Sequence, residues 1–339
     1  MLVKRLARKA DVFLTNLLPS RLAKFGLDYK HIHEINPKVV YSSVSGWGLN
    51  GPSPSKLAFD MTAFFARGGV MGVLGTPGAP PVKPRSGQGD HQTGLAALSS
   101  ILAALLLRAR TGQGSLCEAS LNRTATWNLG EDLAATLVDR IQPKKSEPAK
   151  DAVMQRPYHT RDGRWLLPMM PFREHVYWPN FCKAVGKPEW VTGEVYDTVL
   201  KRWKGREQLG GAIQDIFDTD DLQPWLDKLE AAGCIAGPIA ELPEVCADPA
   251  LRANGAFVTV KHPIAGEFET VAAPFNIRSV GGAPIQPNGP GPEVGADTAA
   301  VLLEKLSMGA SEVAELQKAG VVGVNLIKDS AIAIWTSKL

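Results

Sequence analysis

The chain has only four cysteines in 339 residues, Cys117, Cys182, Cys234 and Cys246, and no two of them form a CxxC pair. A disulfide framework or a zinc ribbon is therefore not expected, and a reducing compartment is the simpler reading. An excess of one charge is also missing. Thirty-seven Lys and Arg face 34 Asp and Glu, a net charge of +3. So balanced a chain lacks the electrostatic footprint of a nucleic-acid or anionic-membrane binder. The longest apolar run, residues 94–107, contains Ser99 and Ser100 and ends at Arg108. It is short for a bilayer span and reads as a buried helix. Neither GxxxxGK(S/T) nor GxSxG occurs, so a P-loop and a nucleophile elbow are excluded. The six histidines do not cluster with the cysteines, and His31 and His33 miss the i, i+4 spacing of a helical metal pair. No metal site is expected. The basic start (Lys4, Arg5, Arg8, Lys9) has no serine and reads as an exposed helix face rather than a mitochondrial presequence. A cytoplasmic location follows as the expectation.

What is present is an ordinary globular balance, 45% apolar and 21% charged, in a chain long enough for two domains. Helical patterns at 3–10, 21–25 and 29–35 alternate with strand patterns at 12–14 and 38–44. The second strand, KVVYSSV, is rich in β-branched residues and follows Pro37. This alternation is the mark of an α/β layer. A Gly/Pro-rich loop (45–56), a glycine-interrupted helix (60–74) and a second such loop (76–89) lead to a long helix over about 91–109. A strand at 115–120 and a helix at 123–141 follow. Residues 142–152, QPKKSEPAKDA, form a polar linker. The expected domains are a large α/β domain over 1–150 and a small α+β domain over 151–280. A tether and helices over 281–339 would return to the large domain. The small domain should hold a hairpin over 157–170 and helices at 176–184, 209–218 and 222–232. A second hairpin is expected around Gly266. The last two helices are placed at 297–306 and 311–319, the latter capped by Ser311.

Gly46, Gly48 and Gly51 fit GxGxxG after a strand, but Pro52 and Pro54 leave no helix start to hold a pyrophosphate. A turn-rich loop is the better reading. The position with most chemical content is Asp90, in SGQGDHQTG. A flexible loop delivers this carboxylate to the start of the longest apolar helix. Two readings stand. Asp90 can be an N-cap that accepts first-turn N–H groups. It can also be a nucleophile kept ionised by those same groups, with glycines that let a thioester approach.

Several segments in series resemble the class III CoA-transferases. They are ADVFLTNLLPSRL at 10–22 with Phe25-Gly26-Leu27, NPKVVYSSVSGWG at 36–48 with Gly51-Pro52, and Gly89-Asp90 through Leu106 with TGQG at 111–114. YHTRDGR at 158–164 and a weaker echo at 316–322 complete the series. The resemblance implies a Rossmann-like large domain with a smaller α+β domain, coenzyme A as part of an acyl-CoA substrate, and a small carboxylic acid acceptor. It implies an interlocked homodimer and Asp90 as the nucleophile that forms a covalent aspartyl intermediate. Its oxyanion would be met by N–H groups near residues 87–89 or by a loop of the other domain. By the same resemblance CoA would lie along Asn16, Leu17 and Leu18, with Lys24 beyond them, and along Leu57, Ala58, Phe59 and Asp60. Loops near residues 171–177, including Arg173 and Glu174, would carry substrate preference, although solvated surface charges are their bland reading.

The pattern is departed from in two places. Transferases often have Tyr where Phe59 stands and a base near Leu57, a part Lys56 can take. α-Methylacyl-CoA racemase, the alternative within the fold, has a proton-carrying His at that position, which Phe59 cannot replace. Family members also open with a further strand–loop–helix–strand stretch. A truncated, inactive CoA-binding subunit is therefore the remaining alternative.

Overall fold

In the computed structural model residues 2–277 and 289–323 are described. The chain divides into two compact units, residues 1–147 with 300–315, and residues 148–299 with 316–339. The first unit starts with α1 (Leu2–Ala7), β1 (Val12–Thr15), α2 (Pro19–Phe25), α3 (Tyr29–Ile35) and β2 (Val40–Ser45). It continues with a π-helical turn (Met61–Ala66), α4 (Val70–Val73) and α5 (Gln88–Thr111). Next come β3 (Ser115–Ser120), α6 (Leu121–Asn128) and α7 (Gly130–Asp139). The three strands form a parallel sheet in the order β1-β2-β3, with Val12 opposite Val40 and Val40 opposite Ser115. Parallel strands need crossovers, and here helices supply them. The central strand β2 is the most buried, with Val40, Tyr41, Ser42 and Ser43 all inaccessible.

Helix α5 buries Gly89, Thr93, Ala97 and Ala104, all small and on one face, so it can lie close on β2 and β3. Val40, Ala104 and Cys117 form the shared core, with Val12, Ile101 and Leu105 packed around them. At 24 residues α5 is longer than its apolar run suggested, and by length and composition alone it could cross a membrane. Its packing against the sheet and α6 is that of a covering helix.

Two expected helices break. The one placed at 60–74 becomes the π-helical turn, in which Arg67 N–H reaches back five residues to the Thr62 carbonyl, and then the short α4. Gly69, at φ 92°, separates the two. The one placed at 123–141 divides into α6 and α7 at Leu129, whose φ/ψ of −96°/25° is not helical.

The second unit has its own apolar core, in which Tyr158, Leu166, Met170, Phe181, Leu209, Ile213, Phe217 and Leu229 are inaccessible. Its first sheet joins β4 (Tyr158–His159), β5 (Trp165–Pro168) and β6 (Ala236–Pro238), all antiparallel. The third strand follows a helical stretch and was not foreseen. The helices of the unit are α8 (Glu174–Ala184), α9 (Glu189–Thr192), α10 (Val199–Lys204), α11 (Arg206–Phe217), α12 (Leu222–Ala231), α13 (Leu242–Ala247) and α14 (Pro249–Ala253). The second hairpin is β7 (Phe257–His262) with β8 (Gly266–Val271). Residues 281–288 of the expected tether lie outside the described residues.

Glu174 corrects an expectation. It pairs with the buried guanidinium of Arg202, which also lies over the Trp178 ring and donates to the Tyr196 carbonyl. It is thus a partner inside the unit rather than a solvated charge. The chain then forms α15 (Thr298–Leu306) and α16 (Ala310–Lys318). Helix α16 starts before Ser311, so that residue is not its cap. In the first unit the Lys9 ammonium donates to the Lys305 carbonyl at 2.8 Å, and Arg5 pairs with Glu312. All four cysteines are free, and burial pushes the thiols of Cys182 and Cys234 up to about 12 and about 11. Such thiols are poor nucleophiles at neutral pH.

Candidate functional site

Each strand of the parallel sheet ends at the same place. Asn16, Leu17 and Leu18 follow β1, Val44 and Ser45 close β2 with Gly46 next, and Leu121 follows β3. All of these residues line one open cleft of about 470 Å³. In open α/β sheets the carboxyl ends of the strands are where ligands bind, because loops there can diverge without disturbing the sheet. A second wall comes from Pro54, Lys56, Leu57, Ala58 and Phe59, and a third from Asp90, Thr93 and Gly94 on α5. Leu57 and Phe59 are 79% and 78% exposed, an unusual exposure for large apolar side chains that a ligand could cover. Lys56 lies 5.2 Å from the Trp47 ring centroid, and the Trp47 indole N–H donates to the Leu57 carbonyl. The loop carrying Gly46, Gly48 and Gly51 opens no helix; Gly48 and Gly51 take φ of 87° and 96°.

Asp90 is at the cleft, but not as the N-cap. Helix α5 begins at Gln88, three residues earlier than expected, and Gly87 occupies the cap with φ 95°. That left-handed conformation favours glycine and turns the loop into the helix. Asp90 is therefore the third helical residue, exposed, with its carboxylate free of the capping role. Burial of its surroundings pushes its carboxyl above the ordinary aspartate range, and the Asp60 charge adds to this while His91 opposes it.

Asp60 is only 3% exposed and is not part of the cleft wall. Its Oδ2 accepts the Gly87 N–H at 2.5 Å. The Gly87 amide is thereby occupied and is not an oxyanion donor. The N–H groups of Gln88, Gly89 and Asp90 are first-turn amides with no carbonyl one turn earlier in the helix. Gly89 fits flush on the layer below: a Cβ there would lie 2.7 Å from Phe64 Cγ and 3.0 Å from Asp60 Cβ. The Thr93 hydroxyl donates to the Gly89 carbonyl at 2.8 Å and tightens the same turn.

Of the residues singled out in the sequence, Asn16, Leu17, Leu18, Leu57, Ala58, Phe59 and Asp90 are brought together in the cleft. Lys24 is not among the residues lining the cleft; its ammonium lies 6.0 Å from the Phe25 ring centroid. Thr93, Gly94 and Leu121 were not anticipated. Thr93 and Gly94 belong to the GD…TG stretch of the resemblance, one helical turn after Asp90, and Leu121 stands one residue after a strand. Among the described residues no group of three His, Cys, Asp or Glu could hold a metal ion.

The chain is similar to known proteins in sequence and in fold. The family model for CoA-transferase family III matches residues 1–298. Human succinyl-CoA:glutarate CoA-transferase is 28% identical, over 95% of this chain and 72% of its own length. Formyl-CoA:oxalate CoA-transferase of Escherichia coli is 28% identical, over 93% of this chain and 79% of its own length. The crystal structure of a CAIB/BAIF family protein from Brucella suis superposes with a TM-score of 0.75 at 26% identity, covering 89% of this chain and 77% of that one.

Proposed function

The chain belongs to CoA-transferase family III and is an enzyme that transfers CoA, and from that premise we propose that Asp90 is its nucleophile in moving CoA from an acyl-CoA to a carboxylic acid. The observation that supports this most is the exposed Asp90 carboxylate in a cleft formed where three parallel strands end. A carboxylate whose proton affinity is raised is a stronger nucleophile once ionised.

In the first step a carboxylate oxygen of Asp90 attacks the thioester carbonyl. The C–S bond breaks, and a mixed anhydride and CoA thiolate result. The thiolate attacks the aspartyl carbonyl, releases the donor acid and leaves an aspartyl-CoA thioester. The acceptor carboxylate attacks that thioester and expels the thiolate. The thiolate then takes the new acyl group and frees Asp90. Each addition builds an oxyanion, and the first-turn amides of Gln88, Gly89 and Asp90 are the proposed donors to it. Exchange of an α-proton has no support here, because Phe59 carries no proton and adjacent helix residues such as His91 and Asp90 point apart.

Incubation with an acyl-CoA followed by hydroxylamine is expected to leave a hydroxamate on the peptide containing Asp90. A productive donor that leaves no such mark overturns the covalent route. Among the described residues Lys56 is the one cation lining the cleft, and it is proposed to meet a CoA phosphate. Lys56→Ala should raise the KM for acyl-CoA about tenfold with little change in kcat, the loss of roughly 1.4 kcal/mol of charge-assisted binding. Lys24→Ala tests the contact drawn from the resemblance alone. Lys24 is not among the residues that line the cleft, so an unchanged KM is expected.

The parallel layer is read as part of a Rossmann-like domain and the protein as a homodimer. Leu95, Leu98, Leu102 and Leu106 are exposed along α5 and would gain from cover. Light scattering that finds a monomer at assay concentration would remove the dimer from this reading.

A further inference from the structure

We propose that Asp60 is a positioning residue for CoA transfer, holding through the Gly87 amide the turn of α5 that carries Asp90. The inference rests on Asp90 as the nucleophile and adds a residue that never touches substrate.

Asp60 was expected to contact CoA, but its burial withholds it from any ligand in the cleft. A buried carboxylate is costly unless it is satisfied, and here a backbone amide satisfies it at 2.5 Å. That amide belongs to the one residue at the start of α5 that needs a left-handed conformation, Gly87. Two residues further along, Gly89 lies on Asp60 Cβ and on Phe64 with no room for a side chain. The carboxylate bond and the close contact act on the same turn, from the same side. Asp90 is the next residue. The π-helical turn that follows Asp60 anchors the arrangement, since its Phe64 and Phe65 are buried in the core with Ala63, Leu121 and Ala125. Nucleophilic attack demands a near-attack geometry, and displacement by about 1 Å can cost two orders of magnitude in rate. Asp60 is placed to prevent such a displacement.

Asp60 has a second effect. Its negative charge raises the proton affinity of Asp90. The other titratable groups near Asp90 are His91, the next residue, whose charge acts the opposite way although its side chain points elsewhere, and Lys56, which lines the same cleft. The strand ends that line the cleft contribute no titratable side chain.

The two effects separate by substitution. Asp60→Ala removes both anchor and charge. Asp60→Asn keeps an oxygen for the Gly87 N–H, removes the charge and turns the other carboxylate oxygen into an NH2 group. In Asp60→Ala, kcat should fall on the order of tenfold or more while the KM for acyl-CoA stays within about threefold. Asp60→Asn should retain most of kcat. Its acidic limb should move to lower pH, because the like charge that held the Asp90 proton is gone. The titration of the Asp90 carboxyl carbon in protein labelled with 13C-aspartate, assigned with Asp90→Asn, should show the same downward move without any turnover. Asp60→Asn also serves if the alanine variant does not fold. A wild-type enzyme that turns over without a hydroxamate at Asp90 removes the nucleophile and this inference with it. Normal labelling, with both Asp60 variants matching wild type in kcat and in the Asp90 titration, overturns the inference alone.

Discussion

Asp90→Asn is expected to lower CoA-transfer turnover about 10⁴-fold or more, because it removes the group through which every covalent step passes. The hydroxamate should vanish with it, whereas acyl-CoA binding should persist, since the apolar walls formed by Leu57, Phe59 and Leu17 are untouched. The same variant should be no less stable than wild type at neutral pH, and should be more stable if the raised proton affinity dominates. The sign follows from linkage. A carboxyl whose folded pKa lies above its unfolded value favours the folded state when protonated, and that contribution is lost as the pH rises through the folded pKa. An uncharged Asn escapes the loss. The advantage of Asp90→Asn over wild type in thermal unfolding should therefore shrink as the pH falls through the aspartate range. A variant that is inactive and clearly destabilised at pH 7 would instead mean that the carboxylate supports the helix start, as a first-turn acid can.

Gly89→Val should be the most damaging change near the site that leaves all chemical groups in place. A Cβ at this position would be 2.7 Å from Phe64 Cγ and 2.8 Å from Phe64 Cβ, atoms near the root of a side chain that is only 1% exposed. Phe64 cannot swing aside, because Phe65 meets it edge-on at 5.0 Å and Ala125 and Leu121 enclose it. Overpacking of this kind costs about 1–3 kcal/mol. The shift that relieves it must lift the first turn of α5 and break the Asp60 contact, so activity should fall about a hundredfold as well. Thermal unfolding and steady-state kinetics of one preparation would check both. An active Gly89→Val enzyme of wild-type stability would show that α5 does not lie this close to the π-helical turn.

Much of the fold could be read from the sequence where the signal is local. The strand at 115–120 is observed at those bounds, and the strand following Pro37 is displaced by only two residues at its start. The β-branched runs and flanking turns that mark them act over a few residues. The hairpin at Gly266 and the helices near 209–218 and 222–232 were legible for the same reason. The expected single helices at 60–74 and 123–141 were not, because periodicity does not reveal where a glycine or a change of packing partner will end a helix. The family resemblance gave Asp90 and the cleft residues after β1 by motif. It also gave Lys24, which lies elsewhere than the cleft wall, and Asp60, which lies under the site rather than in it.

The sequence by itself determined the alternation of helices and strands, the family, and the acid at the start of the longest helix, since each is a matter of neighbouring residues and their order. Only the tertiary structure decided that the three strand ends and the Leu57–Phe59 wall meet in one cleft, and that Asp60 holds Gly87 across 27 residues of chain. Both depend on long-range packing around β2 and Phe64, whose geometry no local pattern encodes.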